Sequence, residues 1–236
     1  MIIFTDKVKE KHYQAIETLL ASSNDNIPAL WLGIQEYKDI WNLQKFIHSL
    51  VQAQNRSGVI LCLEHYRVYT LGRNANEDNL LDLEILDKNV VKTDRGGDVT
   101  YHGPGQLVGY PIINLNHFKK SITWYVDAIE SSVISYLKHL KIKAKKIEGL
   151  TGVWVNDKKI CALGVRISKW ITMHGFALNF NTDIKEYDKI IPCGINHYGI
   201  TSVEEEIGEI INVKDQASVL NRYICKNLEK GAVYEA

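Results

Sequence analysis

An α+β fold, with helices packed against a mixed sheet, is what this sequence predicts, and three features predict it. Segments of helical period alternate with strand-like segments, a hairpin intrudes among them, and several of the strand candidates are short. A purely parallel, doubly wound sheet fits that pattern less well. No internal repeat or low-complexity linker divides the chain, so a single catalytic-sized domain is expected over 29–236, with 1–28 as an N-terminal extension.

Each element has its own signal. Val8, Tyr13, Ile16, Leu19 and Leu20 recur at helical spacing over 7–21, a helix read as an appendage, and the polar run from Ser22 to Asn26 ends it. Residues 29–34 read as a strand. Tyr37, Ile40, Trp41, Gln44, Ile47, Leu50 and Val51 then mark a helix. The apolar run from Gly58 to Glu64 is typical of a strand buried on both faces. The clearest amphipathic helix covers 120–141, with Ile122, Tyr125, Val126, Ile129, Val133, Leu137 and Leu140 on one face. Residues 152–155 and 159–167 flank the turn signal Asn156-Asp157-Lys158 and read as a hairpin. A strand over 173–180 and a helix over 215–228 complete the chain.

Bulk composition excludes several classes. The 236 residues are 45% hydrophobic and 24% charged, ordinary for a soluble globular protein. Lys+Arg and Asp+Glu both number 28, so no global field draws the chain to nucleic acid or to a membrane surface. Charges follow a very short apolar start, which is no secretory signal, and Asp6 and Glu10 argue against an organelle transit peptide; a cytoplasmic monomer is expected. The 4 cysteines (Cys62, Cys161, Cys193, Cys225) are far apart and form no CxxC pair. With no carboxylate-rich histidine cluster, no metal is expected; no cofactor is expected either.

The most informative stretch runs from Arg95 to Pro111. Gly96, Gly97, Gly103 and Gly105 bracket Tyr101 and His102, with Arg95 before them and Tyr110 beyond. Such a density of glycine and proline argues against both helix and central strand. It reads either as a cleft lining for a small polar group or as a tight surface loop. Two other positions have the chemistry of a reacting group. Cys193 stands between Pro192 and Gly194, either as a nucleophile or as a plain turn residue. A free thiol has a pKa of about 8.5, so it needs a basic neighbour to react at neutral pH. Lys159 opens an apolar strand, on the same face as Cys161 and Leu163 by strict alternation, and is either that neighbour or a solvated strand end. His174-Gly175 repeats the His102-Gly103 pairing. His12, His48, His65, His117, His139 and His197 have no comparable setting.

Several blocks taken in order resemble one family: Trp31-Leu32-Gly33, Leu71-Gly72-Arg73, Arg95 to Pro111, Gly152 to Val155, Lys159 to Arg166, His174 to Asn179 with Asp183, and Pro192-Cys193-Gly194-Ile195. The chain is similar, over about 30–230, to the octanoyl-acyl-carrier-protein:protein octanoyltransferases. That resemblance implies the biotin and lipoate protein ligase fold, with a smaller second sheet beside the main one. It implies Cys193 as nucleophile and Lys159 as acid/base. Pocket positions fall on Arg95, Gly96, His102, Tyr110, Gly164, His174 and Gly175. The implied donor is octanoyl-acyl-carrier protein, and the implied acceptors are lipoyl domains of 2-oxoacid dehydrogenases and the glycine cleavage H protein. An acidic carrier implies a basic patch, for which Lys119-Lys120 and Lys145-Lys146 are candidates. Two departures stand out: Tyr66-Arg67 replaces the prolines usual after Glu64-His65, and the first 28 residues extend beyond the family's usual start. A ligase would activate its acid with ATP and would not need Cys193; a binding module would tolerate its loss; a hydrolase would use water instead of an amine.

Overall fold

The computed structural model describes residues 2–3, 7–22, 27–81, 89–191 and 198–232. Its largest element is a mixed sheet. Strands β1 (Ile2–Ile3), β2 (Ala29–Gln35) and β3 (Gly58–His65) run parallel to one another. From β3 the sheet continues antiparallel through β7 (Gln106–Ile113), β11 (Ile171–Asn179), β10 (Lys158–Ser168), β9 (Leu150–Val155) and β8 (Lys145–Ile147). The short β12 (Gly199–Ile200) pairs parallel with the start of β10. A second, smaller sheet holds β4 (Val68–Leu71) between β5 (Val90–Lys92) and β6 (Val99–His102). The mixed sheet with its smaller companion is therefore as expected.

Alternation along β3 explains the layers. Val59, Leu61 and Leu63 face one cluster with helices α1 (Glu10–Ser22) and α2 (Tyr37–Gln54). Ile60 and Cys62 face the other, with α3 (Ile122–His139) and α5 (Val213–Glu229). A short helix α4 (Val203–Ile207) precedes α5. Helix α3 starts where the Ser121 hydroxyl accepts the Trp124 N–H at 3.2 Å. Helix α1 is no loose appendage: Ile16 and Leu20 are fully buried against Ile40, Leu43 and Ile47 of α2. Among the described residues, no helix is long and apolar enough to cross a membrane.

One expectation is corrected. The block from Arg95 to Pro111 is not all loop, because its second half is β7, a central strand between β3 and β11. Glycine and proline survive there for local reasons. A Cβ on Gly109 would overlap the Phe176 ring, so the bare backbone lets that ring lie across the sheet. Pro111 pairs with Ile60 on the β3 side, while the β7–β11 ladder ends at the Gly109–Phe176 pair and does not reach it.

Candidate active site

The glycine-rich turn between β5 and β6 folds over β10 and the small sheet, and a cleft opens beneath it. Arg95 is buried and clamps this turn: its Nη2 donates to the Thr70 carbonyl at 2.6 Å and to Thr70 Oγ1 at 2.9 Å, and Nη1 donates to the Gly96 carbonyl at 3.1 Å. The Gly96 N–H donates to the Val165 carbonyl at 2.9 Å, docking the turn onto β10. Gly164 permits that approach, since a Cβ there would lie 2.9 Å from the Gly96 oxygen.

Tyr110, His102 and His174 line the cleft from different strands. The Gln106 amide fixes the state of His102. Gln106 Nε2 donates to Asn179 Oδ1 and to the Tyr187 hydroxyl, both at 3.0 Å, so its oxygen accepts from His102 Nδ1 at 2.8 Å. Burial, then the neighbouring His65, hold the His102 pKa well below the usual imidazole range. His65 donates from Nδ1 to the Gln35 carbonyl at 3.0 Å and accepts the Tyr110 hydroxyl at Nε2, 2.8 Å away. Burial lowers its pKa to about 4. Tyr37 stacks on His102 with ring centres 5.9 Å apart. The polar wall is thus built of neutral imidazoles and phenols.

Lys159 is buried and lines the same cleft with Ala162, Leu163, Gly164 and Gly175. It is not a solvated strand end. A bulge between Lys159 and Cys161 interrupts the strict alternation: Cys161 joins Ile160 in the apolar core, and the lysine stays in the cleft. The lysine stem runs across Gly152, where a Cβ would lie 3.3 Å from Lys159 Cε. Cys62, Cys161 and Cys225 have thiols pushed up by burial, to about 12 for Cys62, and behave as packing residues.

Arg95, His102, Tyr110, Lys159, Gly164, His174 and Gly175 thus share one cleft, and Gly96 lies beside it in an adjoining groove that Lys159 and Gly164 also line. Cys193 lies outside the described residues. Sequence reasoning missed Tyr37, His65, Thr70, Asp94 and Gln106. The signal available for His65 was the Glu64-His65 pair of the family resemblance; the structure sets it beside Gln35, at the carboxyl ends of adjacent parallel strands.

Similarity to known proteins agrees with this geometry. The profile of the lipoyl protein ligase A/B catalytic domain matches residues 36–224. An octanoyltransferase of Christiangramia forsetii is 42% identical over 206 residues, covering 79% of this chain and 88% of that protein. A crystal structure of lipoate-protein ligase A bound with ATP superposes with a TM-score of 0.67 at 15% identity, covering 86% of each chain. A biotin protein ligase from Aquifex aeolicus in complex with biotin and ATP gives 0.51 at 17% identity, covering 86% of this chain and 71% of that one. These two likenesses concern the fold. The chain belongs to the lipoyl protein ligase A/B catalytic-domain family and, within it, to the octanoyltransferases.

Proposed function

We propose that this protein carries an octanoyl group from the thioester of octanoyl-acyl-carrier protein to a lysine of a lipoyl domain, through a thioester on Cys193. In the first half, Cys193 Sγ bonds to the acyl carbon and the carrier's C–S bond breaks. The thiol proton passes to Lys159 and on to the departing thiolate. In the second half, the acceptor lysine nitrogen bonds to the acyl carbon and the Cys193 C–S bond breaks. The amine proton returns through Lys159 to the cysteine. Thioester to amide is downhill, so the exchange needs no ATP.

The observation that carries this reading is the placement of Lys159. It is a buried amine lining a glycine-walled cleft, in a chain 42% identical to a named octanoyltransferase. Further support comes from the chain on either side of Cys193. The Ile191 N–H donates to the Asn79 carbonyl at 2.8 Å, and Gly199–Ile200 pair with Lys158–Lys159. The Thr201 N–H donates to the carbonyl of Lys159 itself at 3.0 Å. Lipoyl domains of 2-oxoacid dehydrogenases and the glycine cleavage H protein are the acceptors of this proposal.

Intact mass spectrometry after mixing with octanoyl-carrier protein, without ATP, tests it. The expected result is a gain of one octanoyl group that disappears in Cys193→Ser and forms far more slowly in folded Lys159→Ala. A wild-type chain that stays unmodified but turns over ATP with free octanoate would overturn transfer in favour of ligation.

A further inference from the structure

His174 breaks the rule of its strand. Its φ is +56 in the middle of β11, whereas the other described non-glycine residues with positive φ (Asn55, Lys141, Asn156, Lys169 and Trp170) sit at helix ends and turns. A residue with a Cβ keeps that conformation inside a strand only where its surroundings hold it there. The effect is directional. Alternation would send His174 to the same face as Thr172 and Phe176. Phe176 packs in the cluster of α3 and α5. The His174 ring turns the other way, to Trp41 of α2 with centres 6.1 Å apart and to Tyr110 at 6.4 Å, and its Nδ1 lies 3.5 Å from the Tyr37 hydroxyl.

The hydrogen bonds that regular pairing would have supplied are replaced by side chains. The β7–β11 ladder stops at Gly109–Phe176, short of His174, and Pro111 beyond it has no N–H to give. The His174 N–H donates instead to Gln44 Oε1 at 2.8 Å. Gln44 is fully buried, and its Nε2 has no hydrogen-bond partner among the described residues. A half-satisfied buried amide is costly to keep unless its oxygen is needed. On the ring, Nε2 donates to Asp94 Oδ1 at 2.7 Å, and the second oxygen of Asp94 takes the Arg166 guanidinium.

We propose that Gln44 and Asp94 are positioning residues that together hold His174 out of its strand's alternation, its ring turned into the cleft with Nε2 protonated and Nδ1 an acceptor beside Tyr37. The groups facing this imidazole are Asp94, Arg166, Arg95, His102, Tyr37 and Tyr110. Asp94 is anionic at neutral pH, held at about 2 first by the hydrogen bond from His174 and then by charge. Only the kinetic arm of the test rests on the transfer reading above.

Asp94→Asn isolates the effect. Arg166 keeps the carbonyl oxygen of the new amide, so the amide NH2 faces His174 Nε2 and forces the ring proton to Nδ1. Nitrogen-15 imidazole spectra of the full chain should report Nε2–H in wild type and Nδ1–H in Asp94→Asn. The transfer kcat should fall tenfold or more while thermal unfolding stays cooperative. In Gln44→Met the His174 amide should exchange with solvent at least tenfold faster. The same tautomer in both proteins, Nδ1–H in wild type, unchanged exchange in Gln44→Met, or an inverted tautomer with unchanged kcat and KM would each overturn the proposal. A wild-type protein that transfers nothing, with the tautomer still inverting between wild type and Asp94→Asn, sinks the transfer reading and leaves the positioning intact.

Discussion

The Lys159 ammonium lies 4.7 Å from the centre of the Trp154 ring, its direct cross-strand neighbour. Tyr198 packs edge-on against the same indole, with centres 5.1 Å apart, so the ring is fixed from a second side. An aromatic face beside a desolvated ammonium stabilises it by about 2 kcal/mol. The indole therefore aims the lysine along the cleft wall.

Trp154→Leu is expected to lower the octanoyl transfer kcat about tenfold, and Trp154→Phe to lower it less because a ring face remains. The indole Nε1 has no hydrogen-bond partner among the described residues, so phenylalanine sacrifices no bond there. Truncating a buried tryptophan also costs roughly 3 kcal/mol or more of stability, so rates are compared under conditions where circular dichroism shows both variants folded. A wild-type rate in folded Trp154→Leu would remove the ring from any role at Lys159.

Acid should loosen the fold through its buried imidazoles. His65 is neutral in the folded protein down to about 4, whereas its unfolded value is near 6.5. Below 6.5 the unfolded chain takes up a proton that the folded one refuses, so stability falls as pH drops from 6.5 toward 4 and then levels for this group. The full span is worth on the order of 3 kcal/mol. His102, lowered by burial, pushes in the same direction. Urea unfolding at pH 7, 5.5 and 4.5 should report that decline, and His65→Asn should flatten part of it. A stability independent of pH over this window would contradict the buried neutral imidazole.

Periodicity made the layers legible, and the spacing of glycine, proline and polar residues marked the cleft. The run from Gly58 to Glu64 announced a strand buried on both faces because Val59 to Leu63 are all apolar, and β3 is that strand. The pairing of Lys159 with the glycine turn was not legible from spacing, since it depends on β10 passing under a turn some sixty positions earlier in the chain. Gln106 to Pro111 misled because strand propensity is local, whereas Gly109 is there for a ring on β11. Asp94, Gln106 and His65 stayed hidden for a related reason. Asp94 and Gln106 partner imidazoles from other elements and His65 a phenol from another strand, and no period records such contacts.

Gly164→Ala should separate cleft geometry from general stability. The backbone at Gly164 is not in the left-handed region, so alanine brings no conformational strain, only a methyl group. That methyl would lie 2.9 Å from the Gly96 oxygen and 3.2 Å from Arg95 Cδ. Neither yields easily: Gly96 is pinned by its bond to Val165, and Arg95 by its bonds to Thr70. The turn must lift off β10, costing about 1–3 kcal/mol by overpacking and moving the Arg95 and Gly97 wall away from Lys159. Gly208→Ala is the matched control. Its φ of +75 makes alanine strained by about 1–2 kcal/mol, but no atom lies within 4 Å of the added carbon. The two variants should lose comparable stability by urea unfolding, and only Gly164→Ala should lose octanoyl transfer, by at least tenfold. Equal activity in both would mean that the turn's contact with β10 does not shape the cleft.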